Sequence, residues 1–214
     1  MREIYNKTIE IIKNGEQKPH RDLPYILECT ADNFYSWFFR LSTLLIQVDY
    51  PKNVFNLDEN NEKVVEQIYY FMTCNEKFKG DLHKGLVFCG GFGTGKTIMC
   101  KTIADLYLKG ARKKFTLIDT EEINLVSSER LEELYKIPLI LDELGRNYKE
   151  VNDYGTKKTP FATLLTKRNE HNSFTLGTAN YDFETLSEIY GEYLTERLIQ
   201  QFNFIELKGS SRRK

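Results

Sequence analysis

Short apolar runs alternate with longer amphipathic segments along most of this chain. In the longer segments, apolar side chains recur every three to four positions, which is the helical period. The short runs are continuously apolar, which is typical of buried strands. They cover 85–89, 115–118, 137–141 and 174–178, and a fifth run at 202–207 has the length of an edge strand. Strands that alternate with helices predict an α/β domain with a mainly parallel sheet.

Residues 1–51 are predicted to form a helical segment ahead of the α/β domain, which covers 52–214. A short amphipathic helix is indicated over 4–12. A stronger helix follows, with Asp32 as its N-cap and Pro51 as its stop. One face of that helix carries an apolar stripe of Phe34, Trp37, Phe38, Leu41, Leu44, Leu45 and Val48. Such a stripe either packs against the α/β domain or docks a partner protein, and the pattern alone fits both.

The most specific pattern of the chain begins where the first predicted strand ends. Residues 90–97 read G-G-F-G-T-G-K-T, which is the G-x-x-x-x-G-K-T phosphate-binding loop, and they lie between a strand and a helix as that loop requires. Backbone N–H groups of such a loop point at phosphate oxygens beside the positive end of a helix. The residues predicted to bind the nucleotide here are Gly90, Gly91, Phe92, Gly93, Thr94, Gly95, Lys96, Thr97 and Ile98.

Two motifs together predict hydrolysis of ATP. In the loop, Lys96 reaches the β- and γ-phosphates and the Thr97 hydroxyl is a ligand of Mg²⁺. Asp142 and Glu143 follow the apolar run at 139–141. Buried strands seldom end in paired acids without a compensating cation, because desolvated like charges repel. We therefore expect Asp142 to bind the nucleotide's Mg²⁺ through water, and Glu143 to orient or deprotonate the attacking water.

Three further polar side chains are candidates for the same site. Asn180 ends the fourth predicted strand on the sheet edge that carries Asp142 and Glu143, and its amide is a candidate donor to the γ-phosphate or the attacking water. Arg197 lies in a predicted helix, and Arg212 lies in the C-terminal segment. An arginine from a neighbouring molecule can raise a hydrolysis rate by roughly 10³–10⁵. The spacing of these two arginines does not by itself assign that role.

Composition narrows the class of protein. Of 214 residues, 41% are hydrophobic and 29% are charged, as in soluble globular proteins, and a net charge of -1 gives no dominant field. Cys29, Cys74, Cys89 and Cys100 show no metal-ligand spacing, which favours a reducing compartment over a zinc site or a disulfide framework. No apolar segment is long enough to span a bilayer, and no signal-peptide pattern opens the chain. We expect a cytoplasmic protein with no membrane partner.

The order of the motifs resembles one family. The phosphate loop is followed by L-D-E-L-G at 141–145, T-A-N at 178–180 and G-S-S-R at 209–212, with Arg197 between the last two. This set is similar to that of the DnaC/DnaI-type helicase loaders, which belong to the AAA+ ATPases, and of their IstB-like relatives in transposition. The resemblance covers about residues 54–212. Many loaders have two Asp residues where this chain has Asp142 and Glu143.

The resemblance implies a three-layer P-loop NTPase domain of the AAA+ type, with a parallel sheet in the order 5-1-4-3-2 and ATP bound between protomers. It implies that Arg197 is an arginine finger for a neighbour's γ-phosphate, that Asn180 senses that phosphate, and that Arg212 lies near the nucleotide. It further implies self-association, binding to single-stranded DNA, and a replicative helicase as partner in DNA replication.

Other functions remain open from the sequence. An IstB-like ATPase would act with a transposase instead of a helicase. A P-loop kinase would transfer phosphate to a small molecule, although Glu143 favours water as the acceptor. A non-catalytic nucleotide switch would bind ATP without turnover, although Glu143 and Asn180 argue against it. The motifs together favour an ATP-hydrolysing helicase loader.

Overall fold

A computed structural model describes residues 26–146, 152–153, 156–157 and 160–212. Its centre is a five-stranded parallel sheet in the order β5-β1-β4-β3-β2. The strands are β1 (Gly85–Cys89), β2 (Thr116–Asp119), β3 (Leu139–Leu144), β4 (Thr175–Ala179) and β5 (Phe202–Glu206). The predicted order 5-1-4-3-2 is therefore confirmed. The helix predicted over 4–12 lies outside the described residues.

Helices precede and connect the strands. They are α1 (Ala31–Asp49), α2 (Glu62–Met72), α3 (Lys96–Ala111), α4 (Ser128–Leu134), α5 (Pro160–Glu170) and α6 (Phe183–Gln201). A 3₁₀ helix, Thr120–Leu125, follows β2. A short antiparallel hairpin pairs Asn152–Asp153 with Thr156–Lys157, and the sequence pattern did not predict it. Within the described ranges, no helix is both long enough and apolar enough to cross a bilayer.

The alternation of side chains along the strands divides the core between the two faces of the sheet. In β1, the buried Leu86 and Phe88 belong to the core on one face, and the buried Val87 and Cys89 belong to the core on the other. Helices α1, α2 and α3 pack on the first face, and α4, α5 and α6 pack on the second. The result is the predicted three-layer α/β domain.

The N-cap of α1 differs from its prediction. Thr30 has the extended backbone of a cap, and its side chain accepts a hydrogen bond from the Asn33 N–H at 3.3 Å. Asp32, the predicted cap, lies in the first helical turn, where its charge still favours the helix N-terminus. The helix ends before Pro51, as predicted.

The apolar stripe of α1 is split by the fold. Phe34, Phe38 and Leu41 are buried in the core that α1 shares with α2 and α3. Other members of the stripe are exposed; they are Trp37, Leu44 and Val48, at 42%, 53% and 77% exposure. The stripe is wider than the face that one helix packs against a sheet, so part of it stays in solvent. Docking of a partner on the exposed members stays a prediction.

The two edge strands of the sheet had different predictions. The prediction of β5 as an edge strand is confirmed. The pattern of the second apolar run predicted a buried strand, whereas the predicted order 5-1-4-3-2 places this strand at the other edge, and β2 lies at that edge. Ile118 is buried in it, whereas Leu117 is 42% exposed. Three of the four residues in the run 115–118 are apolar, and so short a run fits an edge strand as well as a central one.

Helix α6 is broken at Gly191, whose φ of 71° and ψ of 176° are not helical. The sequence predicts two helices here, one ending at Ile189 and one starting at Glu192, and the break confirms that division. Glycine takes this backbone conformation at the lowest cost. The first half is capped as predicted, because Asp182 accepts a hydrogen bond from the Thr185 N–H at 2.8 Å.

Candidate functional site

The phosphate loop lies at the carboxyl ends of the strands, between β4 and the C-terminal segment 207–212. The Gly90 N–H donates to the carbonyl of Ala179, the last residue of β4, at 3.2 Å. At Gly93, φ is +76° and an added Cβ would lie 2.2 Å from Ser211 Oγ. Any side chain at Gly93 would therefore meet both backbone strain and a clash. This glycine lets the loop curl against the C-terminal segment.

Lys96 and Thr97 begin α3 directly after the loop. The Lys96 side chain is 6% exposed, and its ammonium donates to the carbonyls of Gly90 at 2.9 Å and Gly91 at 2.7 Å. These contacts hold the ammonium against the loop, within reach of an anion bound there. The positive end of α3 adds to the attraction for a phosphate.

The other predicted loop residues have different exposures. Thr94 is buried, and its hydroxyl donates to the Gly91 carbonyl at 3.0 Å, which fixes the turn. Gly95 has φ of +100° and caps the N-terminus of α3. Phe92 is 71% exposed at the surface of the loop, and Ile98 is half-buried in α3. Phe92 therefore supports the loop through its main chain.

A chain of hydrogen bonds joins α3 to β3 and β4. The Thr97 hydroxyl donates to Asp142 Oδ1 at 3.0 Å, and the Thr178 hydroxyl donates to the same oxygen at 2.6 Å. Thr178 also accepts a hydrogen bond from the Glu143 N–H at 2.9 Å. The two groups predicted to hold the cation, Thr97 and Asp142, are thus in direct contact. Oxygen ligands suit Mg²⁺, so the residues present fit ATP with Mg²⁺.

Glu143 has a strained backbone. Its φ is +61°, and the pairing of β3 with β4 is irregular between Leu141 and Leu144. Such a conformation costs a non-glycine residue about 1–3 kcal/mol and is typical of functional sites. Two threonines oppose this cost: Thr178 accepts from the Glu143 N–H, and Thr120 donates to the Glu143 carbonyl at 2.7 Å.

The Glu143 carboxylate is paired with Arg146. One guanidinium nitrogen contacts Glu143 Oε2, and the other lies 3.3 Å from Glu121 Oε2 in the 3₁₀ helix. The Arg146 side chain is 42% exposed, so water screens both ion pairs. These contacts direct the Glu143 side chain towards the start of the 3₁₀ helix.

A buried tyrosine anchors the turn after Glu143. The Gly145 N–H donates to the Tyr190 hydroxyl of α6 at 2.7 Å, and the Tyr190 ring stacks on Phe161 of α5. Burial raises the pKa of Tyr190, so its hydroxyl keeps its proton at ordinary pH. Core packing on the second face of the sheet thereby fixes the turn that positions the two acids.

Asn180 and Arg212 both lie at the phosphate loop. Asn180 follows Ala179, which is paired with Cys89 directly before the loop. The Arg212 N–H donates to the Gly93 carbonyl at 2.9 Å. The polar residues predicted along this edge are therefore neighbours in the structure.

The side chain of Arg212 is bound to a residue that the sequence did not single out. Its guanidinium forms a bidentate pair with Asp58, with N–O distances of 2.7 and 2.9 Å. The hydrogen bond from Arg212 lowers the pKa of the Asp58 carboxyl. The pair joins the C-terminal segment to the connector before α2, beside the phosphate loop.

Arg197 lies elsewhere, on the second half of α6. In the described part of the chain, its guanidinium donates to Gln200 Oε1 at 3.1 Å and lies 5.4 Å from the centre of the Tyr193 ring. Both partners belong to α6. The structure thus brings Arg197 to a helix surface and not to the phosphate loop of its own chain.

Four residues of this edge were not predicted from the sequence: Thr120, Thr178, Arg146 and Asp58. Thr178 offered one signal, because it is a hydroxyl residue near the end of a buried strand whose carboxyl end lies beside the two acids. Arg146 also offered one, since it follows the L-D-E-L-G motif directly. Thr120 and Asp58 reach the site through tertiary packing, which no local pattern reveals.

Comparison with solved structures finds similar folds among replication proteins. The structure of DnaI is 22% identical with a TM-score of 0.59, and the match covers 92% of this chain and 100% of that chain. The DnaC helicase loader is 17% identical with a TM-score of 0.57, over 73% of this chain and 95% of that one. At these identities the likeness shows the fold alone, a three-layer α/β domain with a parallel sheet.

A third similar structure is the replication initiator DnaA bound to AMPPCP and single-stranded DNA. It is 14% identical with a TM-score of 0.52, over 73% of this chain and 49% of that one, so this chain spans about half its length. No protein-family model matches the sequence, and no curated protein matches it by sequence.

Proposed function

We propose that this chain is an ATP-hydrolysing AAA+ ATPase of the helicase-loader type, which acts in DNA replication. One observation carries the proposal. The Thr97 hydroxyl, the Asp142 carboxylate and the Thr178 hydroxyl form one hydrogen-bonded chain that continues to the Glu143 main chain. This arrangement supports a cation site at Asp142 and a candidate base at the adjacent Glu143, beside the phosphate loop.

The roles of the residues follow from their positions. Bound Mg²⁺ would neutralise the charge on the phosphate oxygens, and Thr97 and Asp142 are the residues that would hold it. Lys96 binds the β- and γ-phosphates from its place against the loop. Glu143 orients and deprotonates the attacking water, and Asn180 donates a hydrogen bond to the γ-phosphate or to that water.

Self-association is part of the proposal. Arg197 contacts Tyr193 and Gln200 on α6 and lies on a helix surface of its own chain. From such a place this arginine would contribute to hydrolysis by reaching the nucleotide of a neighbouring protomer. ATP would then be bound between two copies of the chain, with Arg197 from one copy completing the site of the other.

Single-stranded DNA and a replicative helicase are the proposed partners. The similar structures include a helicase loader and an initiator bound to single-stranded DNA. Among the basic pairs of the chain, Lys113 and Lys114 are at the surface, whereas Arg168 is fully buried and unavailable to phosphates. DNA contacts therefore need surface basic residues such as these two lysines.

The test of hydrolysis and assembly is the ATPase rate per molecule, measured against protein concentration with and without single-stranded DNA. We expect the rate per molecule to rise with concentration and with DNA. A rate per molecule that is constant under all these conditions would contradict the proposed assembly. Glu143→Gln is the matched control: it should bind ATP and hydrolyse it at least about 100-fold more slowly.

The protein partner needs a separate binding experiment. We expect the ATP-bound Glu143→Gln protein to bind a purified replicative helicase. Binding to a transposase and not to the helicase would replace the loader function with an IstB-like one.

A further inference from the structure

Tyr193 and Arg197 lie one turn apart on α6 and contact each other. The guanidinium carbon of Arg197 is 5.4 Å from the centre of the Tyr193 ring. This distance is within the range of a cation–π contact, and the i, i+4 spacing places both side chains on one helix face. The Tyr193 side chain is 57% exposed, so the pair lies at the surface of the protein.

Helix α5 contacts Tyr193 and Gln200, the two side chains that touch the Arg197 guanidinium. The Tyr193 hydroxyl lies 3.5 Å from Thr166 Oγ1. On the other side, Arg197 donates to Gln200 Oε1, and Asn169 donates to the same oxygen at 3.2 Å. Helix α5 therefore contacts both partners of the Arg197 guanidinium, the Tyr193 side chain and the Gln200 side-chain amide.

Among the described residues, Arg197 forms no ion pair with Glu170, the neighbouring carboxylate on α5. Glu170 of α5 is close enough for its pKa to be lowered, first by its hydrogen bond with Lys167 and to a smaller degree by Arg197. The carboxylate itself is paired with Lys167 at 2.7 Å. The positive charge of Arg197 thus remains available to an anion from outside the chain.

We infer that Tyr193 is a positioning residue that holds Arg197 ready for the nucleotide of a neighbouring protomer. The inference rests on the proposed function. A mobile arginine side chain loses rotamer entropy when it binds a phosphate. A contact with the Tyr193 ring that exists before binding reduces this loss. A cation–π contact does not use the N–H donors of the guanidinium, so the donors that are not bound to Gln200 or the Tyr193 hydroxyl can reach a phosphate.

Mixing two inactive variants tests this role. Lys96→Ala lacks the phosphate-binding lysine but keeps Arg197, so it serves as the arginine donor. Arg197→Ala keeps the nucleotide site but lacks the arginine, so it serves as the acceptor. We expect each variant alone to be inactive and the mixture to hydrolyse ATP. An inactive mixture would overturn the trans-acting role of Arg197, and the present inference with it.

The role of Tyr193 is then measured by changing this residue in the donor subunit. Tyr193→Ala in the Lys96→Ala donor should lower kcat of the mixture by about two- to fivefold, the value of an exposed cation–π contact. KM for ATP should stay the same, because the nucleotide is bound by the acceptor subunit. Tyr193→Phe in the donor should restore most of the rate, since it keeps the ring and loses only the hydrogen bonds of the hydroxyl with Thr166 and Arg197.

Two controls separate positioning from folding. Tyr193→Leu keeps apolar bulk without a π face, so it should behave as Tyr193→Ala does if the ring is what matters. Tyr193→Ala in the Arg197→Ala acceptor has no arginine to position, and the mixture should keep its rate. An active mixture whose kcat is the same with and without the Tyr193→Ala change in the donor would overturn the inference and leave the proposed function intact.

Discussion

The charged groups at the two ends of the sheet have opposite surroundings. At the amino ends of the strands, Arg168 of α5 is fully buried, and its guanidinium donates to a threonine hydroxyl and to main-chain carbonyls. The acceptors are Thr175 Oγ1 at 2.9 Å, the carbonyls of Ile137 at 2.9 Å and Phe174 at 2.7 Å, and the carbonyl of Leu134. At the carboxyl ends, Glu143 is strained and the Lys96 ammonium donates to the carbonyls of its own loop.

This difference separates structure from function within one fold. A buried cation that is fully hydrogen-bonded holds elements together, and removing it leaves acceptors without donors. A strained acid and a lysine held against its own loop do little for stability but provide groups that a ligand can recruit. We therefore expect substitutions at the amino end to unfold the protein, and substitutions at the carboxyl end to inactivate it while it stays folded.

The largest effect is expected at the amino end. Arg168→Met keeps the length of the side chain but removes every donor from the buried acceptors, and it should lower the free energy of unfolding by about 3–5 kcal/mol. Urea denaturation followed by circular dichroism measures this value. Arg168→Lys, which keeps the charge but loses the planar fork, should lose less. A loss under about 1 kcal/mol for Arg168→Met would contradict the structural role.

The next effect is on binding at the carboxyl end. Lys96→Ala should weaken ATP binding at least about tenfold, because charge-assisted hydrogen bonds to the phosphates are lost. Its free energy of unfolding should change by about 1 kcal/mol or less. Fluorescent-nucleotide titration and urea denaturation of the same sample give both values. A variant that unfolds as readily as Arg168→Met would break the contrast between the two ends.

A smaller effect concerns stored strain. Glu143→Gly should raise the free energy of unfolding by about 0.5–1 kcal/mol, because glycine accepts the φ of +61° without a steric penalty. Hydrolysis should be lost at the same time. Glu143→Gln is the matched control, since it removes the carboxylate but keeps the strain. Equal stabilities of the two variants would show that the backbone of Glu143 is not strained.

The smallest effect is a dependence on pH at the edge of the site. Arg212 holds the pKa of Asp58 below its ordinary value of 3.8. The pair therefore stabilises the fold above about pH 3.8, and this contribution is lost as pH falls through the lower folded pKa. Asp58→Asn should cost about 0.5 kcal/mol at pH 7, because both side chains are 32% exposed and screened.

The pH dependence of Asp58→Asn is measured by comparing its urea midpoint with that of the parent protein at pH 7 and pH 3. The gap between them should narrow at pH 3. A gap that is wider at pH 3 than at pH 7 would mean that the Asp58 carboxylate does not gain stability from Arg212.

Local patterns predicted the strands and the phosphate loop because both are local in origin. The run 85–89 and the loop after it depend on neighbours in sequence, and the structure has both where they were expected. The sheet order came from the resemblance to AAA+ proteins and is confirmed. The predicted roles of Asn180, Arg197 and Arg212 remain predictions.

The features that sequence did not predict depend on distant contacts. Asp58 and Arg212 are 154 positions apart and meet only because β5 returns beside β1. The sequence did not predict that Arg168 is buried, because an arginine in a helix is usually exposed to solvent. Asp32 was predicted as the cap and Thr30 is the cap in the structure; both residue types suit that position, and only the backbone conformation distinguishes them.

The central place of β1 has a consequence for how the protein is made. β1 leaves the ribosome before both strands that pair with it, and Asn203 of β5 bonds to the Gly85 carbonyl across 118 positions of sequence. Until β4 and β5 emerge, both edges of this apolar strand lack their partners, which is the condition that favours aggregation of nascent chains. Slow translation between β1 and β5 should therefore lower the yield of soluble protein, and a chaperone that covers apolar strands should restore it.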